Sequence, residues 1–417
     1  MEKGEKILIG VNVALQNEIV TSPFCIYGAG IVASSVYMAI RTLYHKEPLF
    51  FLISCTKDQK GKREQIPTEI DGIAIKTLSD WSNEVDRMFD IGIPQYYLVA
   101  APEVHHDAMK EALNSLETVA IKEEQIILFT SELENRLMED YYRKVGECTT
   151  VLSVISQDQV YEKSGEGNAV QEMDIEAYAP VSEPKMFSVQ VFQAKSHTDK
   201  QLHGQSVGVS YIYPVQAGAD LTNQKIADLQ DNQGDNISAK NRNYCELTAT
   251  YYAWKHSHAE YKGICHYRRI FDISDEQMQR LLEMEQEWDV ILPYPSVHFP
   301  NISAQHSRYV KEVDWHAMLQ ALKEIAPEYL KAYERYIAEG GQFFYNFNML
   351  IAKAPVFDDY CDFLFRVLQR TEELVTPKGW ERADRFAGYL GENLTTIYFL
   401  KNRDKWKIAY AGKIWLT

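Results

Sequence analysis

The sequence has no cysteine pair at CxxC spacing. Its six cysteines are scattered over 417 residues and mostly sit in apolar stretches. That excludes a zinc ribbon or a disulfide scaffold and fits a reducing compartment. Positive charge is also short: 43 Lys and Arg against 59 Asp and Glu leave a net charge of −16. Duplex nucleic acid is therefore excluded as an expected partner. An anionic membrane would repel the chain as a whole, which leaves only local basic patches to dock. No apolar run approaches the roughly 18 residues of a membrane span. The opening MEKGEKILIG lacks the apolar core of a secretion signal. The expectation is a cytoplasmic protein. Internal repeats and low-complexity tracts are missing too. What the chain does have is a globular balance of 46% hydrophobic and 24% charged residues, and enough length for two domains. Its 26 tyrosines and seven tryptophans suit an ordinary core first, and sugar stacking as well.

The pattern predicts a Rossmann-like α/β domain over residues 1–156, a linker over 157–184 and a second α/β domain over 185–417. In the first, FCIY reads as a strand, Gly28-Ala29-Gly30 as a tight turn and Ile31 onward as a helix. Gly28 and Gly30 begin a G-x-G-x-x-A pattern, in which glycines let backbone approach a pyrophosphate at a helix N-terminus. The strand after it ends in CTKD, without the acid that would grip a ribose; Asp58 comes late for that role. Strands over 49–54, 96–100 and 125–129 and a helix over 105–116 complete a β-α-β-β-α-β order. The pattern resembles nucleotide-sugar-binding domains of bacterial sugar acyltransferases. Residues 157–184 are acidic and rich in Gly, Ser and Pro, as linkers are.

The densest run of polar, aromatic and basic residues is Gly234 to Phe271. Ser238 precedes a periodic stretch that predicts a helix over 239–256. Arg242, Cys245, Glu246, Ala249, Tyr252 and Ala253 share one face of it. Glu246 there needs a donor or cation, since burying it unpaired is costly. Tyr261 to Cys265 reads as a buried strand ending in His266-Tyr267-Arg268-Arg269, where open α/β sheets place ligands. Two guanidinium forks at a strand end suit phosphate; the alternative is a structural carboxylate such as Glu246 or Asp272. Further on, Gln342 to Lys353 reads as a strand with Asn346 and Asn348 on one face, a pair suited to hydroxyl recognition. Arg382 to Leu400 reads as a helix whose stripe Arg382, Arg385, Tyr389, Glu392 and Thr396 is either a solvated face or functional.

The runs NISAKN, YCELTATYYAWK and YKGICHYRRIF, with FNMLIAKAPVFDDYCDFLF (347–365) and RFAGYLGENLTTIY (385–398), resemble the signature of a bacterial glycosyltransferase family. That family serves capsular and lipopolysaccharide synthesis, and the resemblance covers roughly residues 186–417. It implies a single-Rossmann-like, A-type fold and a nucleotide-activated sugar, a UDP-sugar by expectation. Some relatives look like galactofuranosyl- or galactosyltransferases. It implies donor contacts at Ala194, Ser196 and His197 after the first strand of this domain. It extends them to Asn241, Glu246, His266, Tyr267, Arg268, Arg269, Asn346, Asn348 and Arg385.

Transfer from such a donor needs a base for the acceptor hydroxyl and charge stabilisation for the diphosphate. Glu392 is the expected base, kept ionised by Arg382 and Arg385, with Asp384 as the runner-up. Most A-type enzymes place an Asp-x-Asp metal motif where HYRR stands here. Manganese or magnesium dependence is thus open, with His266 and a distant carboxylate as one option. The expected partner is a lipid-linked or polysaccharide acceptor. Peripheral association with the assembly machinery at the inner membrane face and homo-oligomerisation both stay open. Two rival classes are an NAD(P)-dependent or nucleotide-sugar-modifying oxidoreductase acting through the first domain, and a glycan-binding scaffold.

Overall fold

The computed structural model describes residues 22–54, 68–85, 92–146, 150–153, 171–174, 188–202, 208–306 and 309–417. The chain divides into two compact units, residues 1–144 with 297–300 and residues 145–296 with 301–417.

In the first unit the strands are β1 (Phe24–Tyr27), β2 (Phe51–Ile53), β3 (Glu69–Ile70), β4 (Ile73–Thr77), β5 (Tyr96–Val99) and β6 (Ile126–Leu128). They run in the order β3-β4-β2-β1-β5-β6. All neighbours are parallel except the β3–β4 hairpin. Runs such as FCIY and YYLV do not alternate because parallel strands are covered on both faces. Cys25, Tyr27, Leu52, Trp81, Tyr97 and Val99 form their core. The helices are Ile31–Tyr44, Leu78–Val85, His106–Asn114 and Ser131–Val145; the second and fourth go beyond the sequence reading. Gly28 has a packing reason to be glycine. Its φ is 141°, and a Cβ there would lie 2.3 Å from the Ala100 carbonyl oxygen. Gly30 is the N-cap of the first helix and has open space around it. Asp58 lies outside the described residues.

The second unit contains β7 (Thr150–Ser153), β8 (Gln171–Asp174), β9 (Val189–Lys195), β10 (Ile212–Gln216), β11 (Leu229–Gln230), β12 (Tyr261–His266), β13 (Arg269–Phe271) and β14 (Val290–Pro293). Short β15 (Ser296–Val297), which ends one residue past the division between the units, and β16 (Phe343–Phe344) follow, then β17 (Leu350–Lys353), β18 (Ile408–Ala411) and β19 (Lys413–Trp415). The main sheet runs β11-β10-β9-β12-β17-β14-β18-β7-β8. Along that path β17 alone is antiparallel to its neighbours. β13 folds back on the end of β12, pairing Arg269 with His266, and β19 pairs with β13.

Strands β7 and β8 join this sheet although they fall within 1–156 and 157–184. β8, with the sequence QEMD, has too little apolar signal to read as a strand. The rest of the expected linker, 157–170 and 175–184, lies outside the described residues.

Leu247–His256 packs on β9 and β12, Ala354–Leu374 packs on β12 and β17, and Phe386–Lys401 packs on Ala354–Leu374. Ala354–Leu374 opens with proline in its first turn, where a missing N–H costs nothing. Phe386–Lys401 buries Phe386, Leu390, Asn393, Leu394, Thr396 and Ile397, so its polar residues face protein. No helix among the described residues is long and apolar enough to cross a membrane.

Candidate functional site

Parallel strands β9 and β12 end side by side, with His266 paired to Ala194. On the other side of β12, Ile264 pairs with Leu350 of β17. Two residues beyond that pair on each strand stand His266 and Asn348. This end of the sheet therefore gathers the loop after β9, the His266–Arg269 turn and the segment entering β17.

The three elements expected to be regular are each broken here. The helix over 239–256 is interrupted: Asn241–Tyr244 ends at Cys245, whose φ is 52°, and Leu247–His256 starts afresh with Glu246 at its N-cap. The Asn241 amide holds the break by donating to the Cys245 carbonyl (2.7 Å) and Thr248 Oγ1 (3.0 Å). The strand over 342–353 is also interrupted, since Phe347 and Asn348 are left-handed at φ 73° and 49°. Asn346 and Asn348 therefore do not share a strand face. The late helix begins at Phe386, after a left-handed Arg385 (φ 60°), so Arg382 and Arg385 do not share its stripe. Residues held off the usual backbone regions store strain of order 1–3 kcal/mol each and cluster at functional sites.

Those breaks place two carboxylates. Asn348 Nδ2 donates to Glu246 Oε1 at 2.6 Å, and Glu246 Oε2 lies 3.5 Å from His266 Nε2. The Phe347 backbone N–H donates to Glu392 Oε1 at 2.7 Å. Gly391 lets the late helix come close: a Cβ there would lie 2.7 Å from Leu247 Cδ1 and 3.3 Å from Asn348 Oδ1. Burial works against the Glu246 charge, but His266 and the Asn348 amide outweigh it and bring its pKa down to about 2. Glu392 goes the other way. Burial and the Glu246 charge push it up to about 7, against the Phe347 N–H, Arg269 and Arg385. Pairs of carboxyls driven apart in this way mark acid–base roles. The expectation that Arg382 keeps Glu392 ionised is corrected. Arg382 is buried in a two-pronged pair with Asp314 and also bonds Asp384.

Beside the carboxylates sits a cation pair. The Arg269 guanidinium lies between the rings of Phe347 and Trp415, 4.2 and 4.4 Å from their centroids. It is 9% exposed, and its Nη1 is 3.4 Å from His266 Nδ1. Burial and Arg268 pull its pKa down to about 10. Neither Arg268 nor Arg269 forms an ion pair with a carboxylate among the described residues, and the Nε of each is buried without a partner. The structural pairing with Glu246 or Asp272 is thus not what the arginines do.

The remaining candidates divide. Ser196 donates its N–H to Asp199 at 2.6 Å, and Asp199 lies in the field of His266, Arg268 and Arg385. Burial raises its carboxyl against those cations. His197 Nδ1 is buried without a partner, and so are both amide atoms of Asn346, which is 2% exposed. Tyr267 lies under Arg268, 5.6 Å from ring centroid to guanidinium. Arg385 Nε contacts Cys245 Sγ at 3.1 Å. Asp384 is committed to Arg382 and Lys311, at 2.6 and 2.8 Å, and stands outside the helix. The sequence reading missed Asp199, Phe347 and Trp415. The spacing Ser196-x-x-Asp199 was a usable turn signal, whereas nothing local marks a ring that packs on a distant arginine. Among the described residues no three His, Cys, Asp or Glu side chains are placed to hold a metal.

A family model described as a domain of unknown function (DUF4422) matches residues 195–403. The chain belongs to that family. Every DUF4422 candidate from Ser196 to Glu392 lies inside the match; Ala194 precedes it and Trp415 follows it. Among solved structures the chain is similar to the apo structure of WbbM, a bifunctional glycosyltransferase. The two are 24% identical, with a TM-score of 0.45 over 55% of this chain and 45% of that one. The chain thus spans less than half of that protein's length. No curated protein matches.

Proposed function

We propose that this DUF4422 protein is a glycosyltransferase that moves a hexose from a nucleoside-diphosphate donor to a glycan hydroxyl. The observation that carries the reading is the unpaired Arg268–Arg269 couple beside Glu392 at the end of β12. A buried guanidinium without a carboxylate is costly unless an anion joins it. A diphosphate supplies that anion through bidentate contacts.

In this reading Arg268 and Arg269 bind the diphosphate and offset its charge as the leaving group departs. Glu392 accepts the proton of the acceptor hydroxyl. The acceptor oxygen forms a bond to the anomeric carbon as the anomeric carbon–phosphate oxygen bond breaks. Glu246 stands 3.5 Å from His266 beside the arginines. No step here is routed through a metal. The resemblance supports UDP as the nucleotide and galactose or galactofuranose as the sugar. It also supports a capsular or O-antigen acceptor met at the inner membrane face.

The test is Glu392→Gln. UDP release from UDP-galactose or UDP-galactofuranose, with a lipid-linked glycan acceptor, should fall by about 10²–10⁴ in kcat. Affinity for UDP should hold. Turnover within about threefold of the parent would remove Glu392 as the base.

A further inference from the structure

Consecutive residues Phe347 and Asn348 each hold one carboxylate. Phe347 gives its backbone N–H to Glu392, and Asn348 gives its side-chain amide to Glu246. Both are left-handed, a conformation Asn tolerates and Phe seldom adopts. Asn348 is further tied to Gly388 O at 3.2 Å on the turn of the late helix preceding Glu392. The backbone strain at this pair therefore has a definite product: two acidic groups from different helices are each bonded by one of two consecutive residues.

We infer that Glu246 is a positioning residue for Glu392: held by the Asn348 amide, with His266 3.5 Å away, its fixed negative charge sets the protonation of Glu392 and so the pH range in which Glu392 accepts a proton. The proposal rests on the reading of Glu392 as the base and goes beyond it.

Several charged or titratable groups face Glu392. Glu246 and Cys245 come from the broken helix, Arg269 from β13, and Arg385 and Tyr389 from its own end of the chain. Among these, Glu246 is the repelling charge that is ionised throughout the neutral range, because its own carboxyl is held at about 2. Burial alone would also raise Glu392, so the contribution of Glu246 has to be separated by experiment.

The test compares the parent with Glu246→Gln and Glu246→Asp in the full chain. Glutamine keeps an acceptor for Asn348 and loses the charge; aspartate keeps the charge on a shorter arm. In the pH–rate profile of UDP release from UDP-galactose, E246Q should move the acidic limb down by about one pH unit. E246D should leave the limb in place while lowering kcat. A limb unmoved in E246Q overturns the proposal, since a merely structural role lowers rate without moving it.

The second readout needs no turnover. Glu392 favours its protonated form in the folded chain, so its contribution to Tm declines as pH rises from about 5 to 8. That decline, taken as the difference from E392Q, should shrink in E246Q. An undiminished decline overturns the proposal even if the protein transfers no sugar. Absence of turnover in the parent, by contrast, sinks the functional reading alone.

Discussion

Replacing Arg269 with methionine should separate stability from binding. The guanidinium is buried between Phe347 and Trp415 with no carboxylate partner. Methionine fills the gap between the rings and makes favourable sulfur–aromatic contacts of about 0.3–1.5 kcal/mol. It gives up cation–π attraction of about 0.5–2 kcal/mol. It also removes the several kcal/mol that desolvating an uncompensated charge costs, which in water-penetrated protein is the larger quantity. The free R269M protein should therefore melt at or above the parent's Tm. UDP binding should suffer, because each charge-assisted hydrogen bond contributes roughly 1.5–3 kcal/mol, or about 10- to 150-fold in Kd. Calorimetric titration of UDP beside a melting curve checks both parts. UDP affinity within threefold of the parent would refute the phosphate role. A Tm lower by many degrees would show that the charge is already compensated in the free protein.

Three further outcomes follow from the same geometry. Glu392 titrates near 7 in the folded chain against an ordinary 4.5, so its stabilising contribution is complete below about 4.5 and lost as pH rises through 7. The gap corresponds to roughly 3 kcal/mol, and E392Q should flatten the fall in stability between pH 5 and 8 in urea titrations; parallel curves for the two proteins would contradict it. Asn346→Leu replaces an unpartnered buried amide by an apolar side chain of the same branching, so Tm should hold or rise while UDP-hexose loses its affinity advantage over UDP. A Tm drop of several degrees would show that the amide is satisfied without ligand. Treatment with EDTA should leave UDP affinity within about threefold if Arg268 and Arg269 bind the diphosphate as proposed; a tenfold loss restored by manganese would overturn that assignment.

Much of this architecture was legible in the sequence, and what was hidden has a common cause. The buried strands FCIY, VQVF and YKGICH were readable because apolar runs bounded by turn residues have little else to do. The position of His266 to Arg269 at a strand end followed from the same reading. The breaks at Cys245, at Phe347–Asn348 and at Arg385 were not readable. None of the four is glycine, and periodicity runs straight through each one. They are left-handed because tertiary bonds such as Asn348 to Glu246 and Asn241 to Cys245 compensate the local cost. Sequence placed Glu392 on a polar stripe with Arg382. Only the fold shows Arg382 committed to Asp314 and Glu392 buried in the field of Glu246, which changes the expected charge state of the base.

The most direct measurement is a thermal-shift screen of the full chain against UDP-, GDP-, dTDP- and CMP-sugars, with the Arg268→Ala/Arg269→Ala double variant beside it. At least one nucleoside-diphosphate sugar, a UDP-hexose foremost, should raise the parent's Tm and leave that of the folded double variant unmoved. A parent indifferent to every nucleotide sugar, or a double variant stabilised as much as the parent, would contradict it.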